Sequence, residues 1–499
     1  MTGLAMTGAQ PALARLPRAA MAPRVDAART VFLSVPAGPN VANVLRGSLL
    51  PTLLAECDAR IVILSPFAVD PRFTAEFAHP RVEFEPLDAH RPAGLERAID
   101  SIVSEKFLRE TRLVAARLEH DRDRLLAPSL GRRALAATRT AVAALPVARR
   151  TWHGLAGMAT PRARYAALIR EYGPSLVVTS TAGFHDAERP LVHAARRAGV
   201  PVWGVDLGWG HLSSSRRTIV PVDRLVVWNE EMRREAVAYH GFSEAEIGLS
   251  GALRFDACLG CRDLPARDEF LRGLGADPAR RLVTLATAPR DVYPATGRLA
   301  ETLARAVAED RLGPPAQLLV RVHPRDDPGR YQDLVGRPFV FVEQPIARLD
   351  AVSGTPPSDL FTPTARDRAH LAATLAHSGV LVLFASTMTI EACVFDTPVV
   401  NVGFDEEDGL PLPLSIRRSY ASEHYGPLVE SGAARVASGP DDLVAKVRRY
   451  LEDPAADRDA RRAIVERLCG FADAEVGQRV AREIASGLDE RVSRRPWGR

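Results

Sequence analysis

A chain of 499 residues exceeds what one hydrophobic core ordinarily serves and points to two domains of comparable size. Its 46% apolar and 25% charged residues are those of a globular protein. The net charge of +4 invites a nucleic-acid reading, but only Lys106 and Lys446 are lysines; the other 63 of 65 basic residues are arginines, offset by 61 acids. Compositional bias accounts for that pattern, and no nucleic-acid partner is expected.

Residues 1–28 are rich in Ala, Pro and Arg, with apolar runs too interrupted for a secretory core, and are expected to be a disordered leader. No apolar run approaches the roughly 20 residues needed to cross a bilayer. Five cysteines in a chain this long make no disulfide framework, so a cytoplasmic location is expected. Cys258 and Cys261 form a lone C-x-x-C without a second pair or a nearby His, which reads as two small residues after a turn rather than a zinc site.

From Thr30 the chain alternates short apolar runs with amphipathic stretches. TVFLSV, a turn at Gly38, Pro39 and Asn40, a helix through Leu54 and then RIVILSP make one β-turn-α-β unit. The unit recurs as SLVVTST, a helix over 191–198 and PVWGVDL, which predicts a parallel sheet covered on both faces. Residues 95–172 between them hold no strand pattern and predict a helical insertion in two or more pieces, broken near Pro128 and Pro146. Arginine-rich faces along it could meet an anionic membrane surface, but Glu119, Asp121 and Asp123 interleave with them and favour a solvated face.

RLVVW, a helix running to His240 and the segment IGLSGALRFD close the first half. After a break near residue 265 a second series begins: RLVTLAT, a helix near 299–309, QLLVRVHP, FVFVE, a helix over 367–377, VLVLFAS, a helix opening at Ser386, and PVVNVGF. The fold class is therefore α/β: two doubly wound Rossmann-like domains facing a cleft. The first spans 29–265 and carries the insertion, the second spans 266–455, and helices over 456–499 cross back to brace the first. Residues 353–363, with three prolines, are expected to form a mobile loop.

No G-x-G-x-x-G follows a strand and no G-x-x-x-x-G-K-[ST] occurs, which argues against dinucleotide redox chemistry and P-loop phosphoryl transfer. No H-E-x-x-H, loop of paired aspartates or G-x-S-x-G elbow supports metal or serine hydrolysis. What stands out is a set of strand ends. Thr287 and Arg290 follow RLVTLA, His323 and Arg325 flank Pro324 after QLLVRV, and Ser386 and Thr387 follow LVLFA. Strand ends that feed helix N-termini hold phosphates in open α/β sheets. Glu391, four residues after Thr387, lies outside a capping-box position and among apolar neighbours. It is either an acid near the positive helix end or an acceptor for both ribose hydroxyls of a nucleotide; His323 and Ser386 beside it favour the second. In the first half, His185 with Asp186 and Glu188, Asp206 at the end of PVWGVD, and His211 beside Ser213, Ser214 and Ser215 are candidates for a base acting on an acceptor hydroxyl.

Strand-His-Pro-Arg, then S-T-x-x-x-E-A and PVVNVGF, resemble the nucleotide-binding half of GT-B glycosyltransferases, particularly the bacterial surface-polysaccharide group related to CDP-glycerol glycerophosphotransferases and Kdo transferases. SVPAGPNVANVLR and VVWNEEMRREAVAYHGFSEAEIGLSGALRFD resemble that group's opening turn and interdomain segment, so the resemblance covers about residues 30–470. It implies transfer from a nucleotide-activated donor without a cofactor or bound metal, with His323, Arg325, Ser386 and Thr387 on the donor phosphates and Glu391 on the ribose. Where relatives tend to show S-W-D-N-L-T-S, this chain has Gly208-Trp209-Gly210-His211-Leu212-Ser213-Ser214, so Gly210 stands at the acidic position; either His211 or Asp206 takes the role of the base or the first domain binds a different acceptor. The leading expectation is a glycosyltransferase acting from a nucleotide sugar on a surface glycan or lipid-linked acceptor, with peripheral membrane contact through the basic helices left open. A CDP-polyol phosphotransferase, a nucleotide-sugar 2-epimerase and a catalytically degenerate scaffold remain alternatives.

Overall fold

The computed structural model describes residues 29–489 except 127–128, 260–263, 291, 346–347 and 472; the expected leader and Cys261 lie outside the described residues. The first sheet contains β1 (Arg29–Ser34), β2 (Ala59–Ser65), β3 (Val82–Pro86), β4 (Leu176–Thr179), β5 (Val202–Val205), β6 (Arg224–Val227) and β7 (Ile247–Leu249). Their order is β3-β2-β1-β4-β5-β6-β7, and every pairing is parallel. The second contains β8 (Arg281–Ala286), β9 (Ala316–Arg321), β10 (Val340–Glu343), β11 (Val380–Leu383), β12 (Val399–Val402) and β13 (Arg435–Ala437), also all parallel, in the order β10-β9-β8-β11-β12-β13. Central strands such as β4 and β11 are buried along their whole length, because helices cover both faces and leave no solvent side on which polar residues could alternate. Two Rossmann-like domains are thus built, each with a point where strand order reverses: between β1 and β4, and between β8 and β11.

Between β3 and β4 run five helices, Gly94–Thr111, Val114–Leu125, Leu130–Ala143, Arg149–Ala159 and Ala163–Tyr172. The first break falls at Arg112, whose left-handed φ of 58° ends the first helix without any proline to announce it. The insertion reaches the other domain, since Glu423 accepts from the backbone N–H groups of Val114 and Ala115 and so caps the second of these helices. Arg149, expected on a solvated or membrane-facing surface, lies instead against the Phe107 ring, 5.0 Å from its centroid, and pairs with Glu110 at 3.2 Å.

The last helix, Val476–Asp489, belongs to the first domain's core: Val480, Ala481 and Ile484 pack with residues of β1, β2 and β4. Its start is held by Asp256, which accepts from the N–H groups of Val476 and Gly477 at 3.0 Å each and from the Ser48 hydroxyl at 2.6 Å. Residues 349–363 also cross between domains. Asp350 N–H donates to Asp70 at 2.9 Å, Val352 N–H donates to the Pro66 carbonyl at 3.0 Å, and Arg46 donates to the carbonyls of Thr362 and Pro363 at 3.1 and 2.8 Å. A Cβ on Gly38 would stand 2.0 Å from the Phe361 carbonyl oxygen, so only glycine admits this approach. The segment expected to be mobile, 353–363, is thus tied to the first domain by the Arg46 side chain at its end and by the bonds of Asp350 and Val352 just before it. Among the described residues no helix is long and apolar enough to cross a membrane.

Candidate active site

In the second domain the loops after β8, β9 and β11 lie side by side, because these strands are neighbours in the sheet. Thr287 is buried, and its hydroxyl is already engaged: it accepts from the His323 N–H at 2.9 Å and donates to Asp326 at 3.3 Å. Asp326 also takes the Tyr331 hydroxyl at 2.5 Å and Arg330 at 2.7 Å, while Gln344 donates to the His323 and Asp326 carbonyls at 3.2 and 3.0 Å. Thr287 therefore builds the shelf rather than offering its hydroxyl to a ligand. His323 Nδ1 accepts from the Arg325 N–H at 3.1 Å, which assigns the ring proton of the neutral tautomer to Nε2. Arg290 and Arg325 are exposed at the loop surface.

Ser386 is exposed and its Oγ accepts from the Met388 N–H at 3.2 Å, while Thr387 takes the N-cap position of the helix Met388–Val394 without a side-chain bond. Glu391 is only 4% exposed, and neither expectation for it anticipated its partner. Arg254, from the first domain's end of the interdomain segment, donates through Nε to Glu391 Oε1 at 3.2 Å, whereas Oε2 is buried with no hydrogen-bond partner.

In the first domain Asp206 follows β5 directly and is buried. Its main chain is locked by its N–H to the Val226 carbonyl at 2.9 Å and by the Trp228 indole N–H to its own carbonyl at 2.8 Å. Its Oδ1 accepts from the Gly208 N–H at 2.9 Å and meets His211 Nδ1 at 2.7 Å; Oδ2 is buried without a partner. An Nδ1–H held by a carboxylate leaves the lone pair on His211 Nε2, the arrangement of a general base with its orienting acid. The imidazole is further fixed by stacking on Phe184, with centroids 4.3 Å apart and planes 13° from parallel. His185 does not join this pair. Its Nδ1 accepts from the Ala187 N–H at 3.2 Å and its Nε2 contacts Asp359 at 3.0 Å, so no lone pair remains to take a proton, and the candidate base becomes a link between the domains.

The loop carrying His211 touches the second domain through aromatic rings. Trp209 packs 5.1 Å from His424 and 5.4 Å from Tyr425, and the Tyr425 hydroxyl bonds Thr389 at 2.7 Å on the helix Met388–Val394. Gly210 has φ +90°, and a Cβ there would come within 2.7 Å of the His424 ring. An acid at this position would be both strained and excluded, which explains the departure seen at Gly210. Burial, with the nearby charge of His211, pushes His424 down to about 4, so it is a neutral ring at ordinary pH, and its Nδ1 has no hydrogen-bond partner. Glu235 escaped the sequence reading. Burial pushes it up to about 7 against a 2.6 Å hydrogen bond from the Ser213 hydroxyl, with Glu231, Asp206 and Glu423 adding to the rise. Its only local signal was an acid within a charged helix turn.

A cavity of about 1450 Å³ lies elsewhere, between the insertion helices and Arg216. Its charged walls are paired with one another, as in Arg216 with Glu105 at 3.3 Å, so the converging groups of both domains, not this space, define the candidate site.

No protein-family model and no curated protein matches the chain. Among solved structures, the Staphylococcus aureus MnaA–UDP complex matches with a TM-score of 0.54 and 11% identity, over 94% of this chain and 99% of that one. A UDP-GlcNAc 2-epimerase from Methanocaldococcus jannaschii matches at 0.51 and 11%, over 92% and 99%. The Neisseria meningitidis UDP-GlcNAc 2-epimerase bound to UDP-GlcNAc matches at 0.51 and 9%, over 92% and 99%. The fold is GT-B. Identities this low establish architecture and nothing finer.

Proposed function

We propose that this GT-B chain is a glycosyltransferase that moves a sugar from a nucleotide-sugar donor to a glycan or lipid-linked acceptor. The observation that carries the reading is the Asp206–His211 pair, 2.7 Å apart and leaving Nε2 as acceptor, on a loop whose next-door Trp209 packs on the donor shelf. His211 Nε2 takes the proton of an acceptor hydroxyl as its oxygen bonds to the anomeric carbon. The bond from that carbon to the nucleotide diphosphate breaks, and Asp206 stabilises the imidazolium. His323, Ser386 and Thr387, with the exposed guanidiniums of Arg290 and Arg325, meet the charge growing on the leaving phosphate; in this reading protein groups rather than a metal do so. The unpartnered Glu391 Oε2 is suited to a ribose hydroxyl.

Stabilisation against heat by UDP, GDP or CDP, followed by release of that nucleotide from its sugar conjugate only when an acceptor is added, tests the reading. Stabilisation by CDP together with transfer of a polyol phosphate instead would assign the CDP-polyol alternative. A second reading, a nucleotide-sugar 2-epimerase, draws on Glu235, an acid near neutral pKa close to Asp206, and on the UDP and UDP-GlcNAc named for the matching structures. Free UDP appearing from UDP-N-acetylglucosamine with no acceptor present would favour it.

A further inference from the structure

The segment that joins the domains places a cation on the carboxylate read above as the ribose acceptor. Arg254 lies in the turn Leu253–Phe255, and both flanking residues are buried in the first domain, Leu253 against its core and Phe255 edge-on to Trp228 at 5.4 Å. Glu391 is flanked in turn by Ile390 and Ala392, fully buried in the second domain. The two side chains are anchored in different domains, so the 3.2 Å contact between Arg254 Nε and Glu391 Oε1 is made across the domain boundary and depends on how the two are placed.

We propose that Arg254 is a positioning residue for the donor nucleotide: it holds the Glu391 carboxylate in the rotamer that accepts ribose hydroxyls, and so makes ribose recognition depend on the closed arrangement of the domains. The proposal rests on the ribose reading of Glu391. A carboxylate offers about four lone-pair sites, of which Arg254 occupies one and leaves both oxygens able to accept from a diol. A carboxylate buried this deeply needs a charge partner to be held there, and among the described residues Arg254 is the only cation bonded to it. Removing the guanidinium leaves neither oxygen partnered and the rotamer unheld. What is lost is then specific to the diol, not to the base or the phosphates.

Titration calorimetry on the full chain with UDP, CDP, GDP and ADP and their 2′-deoxy counterparts tests this. The wild type is expected to prefer the ribose form of the nucleotide it binds, Glu391→Gln to abolish that preference, and Arg254→Gln to reduce it by about tenfold, the loss of one charged hydrogen bond's worth of positioning, with the 2′-deoxy form binding nearly as before. Arg254→Lys keeps the charge without the planar Nε donor and is expected to show a smaller drop in the same preference. It serves as the readout if the Gln variant does not fold. Equal weakening of ribose and 2′-deoxy forms by Arg254→Gln would make the residue merely structural and overturn the proposal. An unchanged preference in Arg254→Gln, with the preference lost in Glu391→Gln, would also overturn it while leaving Glu391 on the ribose. No preference in the wild type would remove the ribose reading itself, and this proposal with it.

Discussion

At the edge of the second sheet, Thr287, His323 and Ser386 stand one to three residues beyond β8, β9 and β11, and each owes its place to its own strand. Across the cleft, Asp206 owes its place to β5, but His211 is set by a carboxylate five residues away, a stacked Phe184 and a glycine pressed against the other domain's His424. One half is organised locally and the other by tertiary contacts. The lesson is that a row of strand-end residues can be set in place strand by strand, whereas the His211 imidazole is oriented by groups that converge from separate segments.

The sharpest way to break this contrast is His211→Ala. Turnover is expected to fall by about 10²- to 10⁴-fold while nucleotide affinity, measured by calorimetry, stays near the wild-type value. A parallel loss of nucleotide binding would mean that the two halves are not separable. Acid offers the next largest effect, because the first domain buries neutral histidines. Burial pushes His153 down to about 3, and His193 and His240 to about 4, with Arg189 adding to the first two and Arg149 to His153 and His240. Their folded pKa values lie below the ordinary 6.5, so the unfolded chain binds the proton first. The stability they permit is full above pH 6.5 and is lost as pH falls towards 4, by on the order of 3 kcal/mol for each. Hydrogen exchange at pH 7 and pH 5 is expected to show the helices Arg149–Ala159 and Arg189–Ala198 losing protection before β8, β9 and β11. Second-domain strands opening first would contradict it.

Gly210→Asp restores the acid of the resembled pattern and sharpens the comparison further. It is expected to lower stability by about 1–3 kcal/mol and to lower activity rather than raise it, through the positive φ and the His424 ring, as read by denaturant melts and turnover. The smallest effect belongs to Asp359→Ala, which removes the half-buried partner of His185. About 1 kcal/mol or less of stability is expected, with catalysis close to wild type. A large catalytic loss there would return His185 to the list of catalytic groups.

The two-domain α/β architecture was readable because β1, β2, β4, β5, β8, β9 and β11 are apolar runs long enough to stand out. Of the edge strands, β10 was read as FVFVE, whereas β3, β7 and β13 were not. β3 alternates Glu83 and Glu85 with Val82 and Phe84, as an edge exposed on one side can, and β7 and β13 are three residues each, too short for any period to register. On the site, Glu391 stood out by its apolar neighbours, but its partner Arg254 lies 137 positions away and no local pattern joins them. His185 and His211 looked alike in sequence; only the bonds to Ala187 and Asp359 on one, and to Asp206 on the other, separate a ring engaged at both nitrogens from one that keeps its Nε2 lone pair.

Periodicity, a local property, thus determined from the sequence that this chain forms two doubly wound domains, and the same local reading picked out the strand-end residues Thr287, His323 and Ser386. The tertiary structure decided which histidine keeps a lone pair, why glycine replaces an acid at position 210, and that an arginine of the interdomain segment meets Glu391. Each of these depends on groups distant in the chain approaching within hydrogen-bonding or van der Waals range, a condition that packing of the two domains sets and that no window of sequence contains.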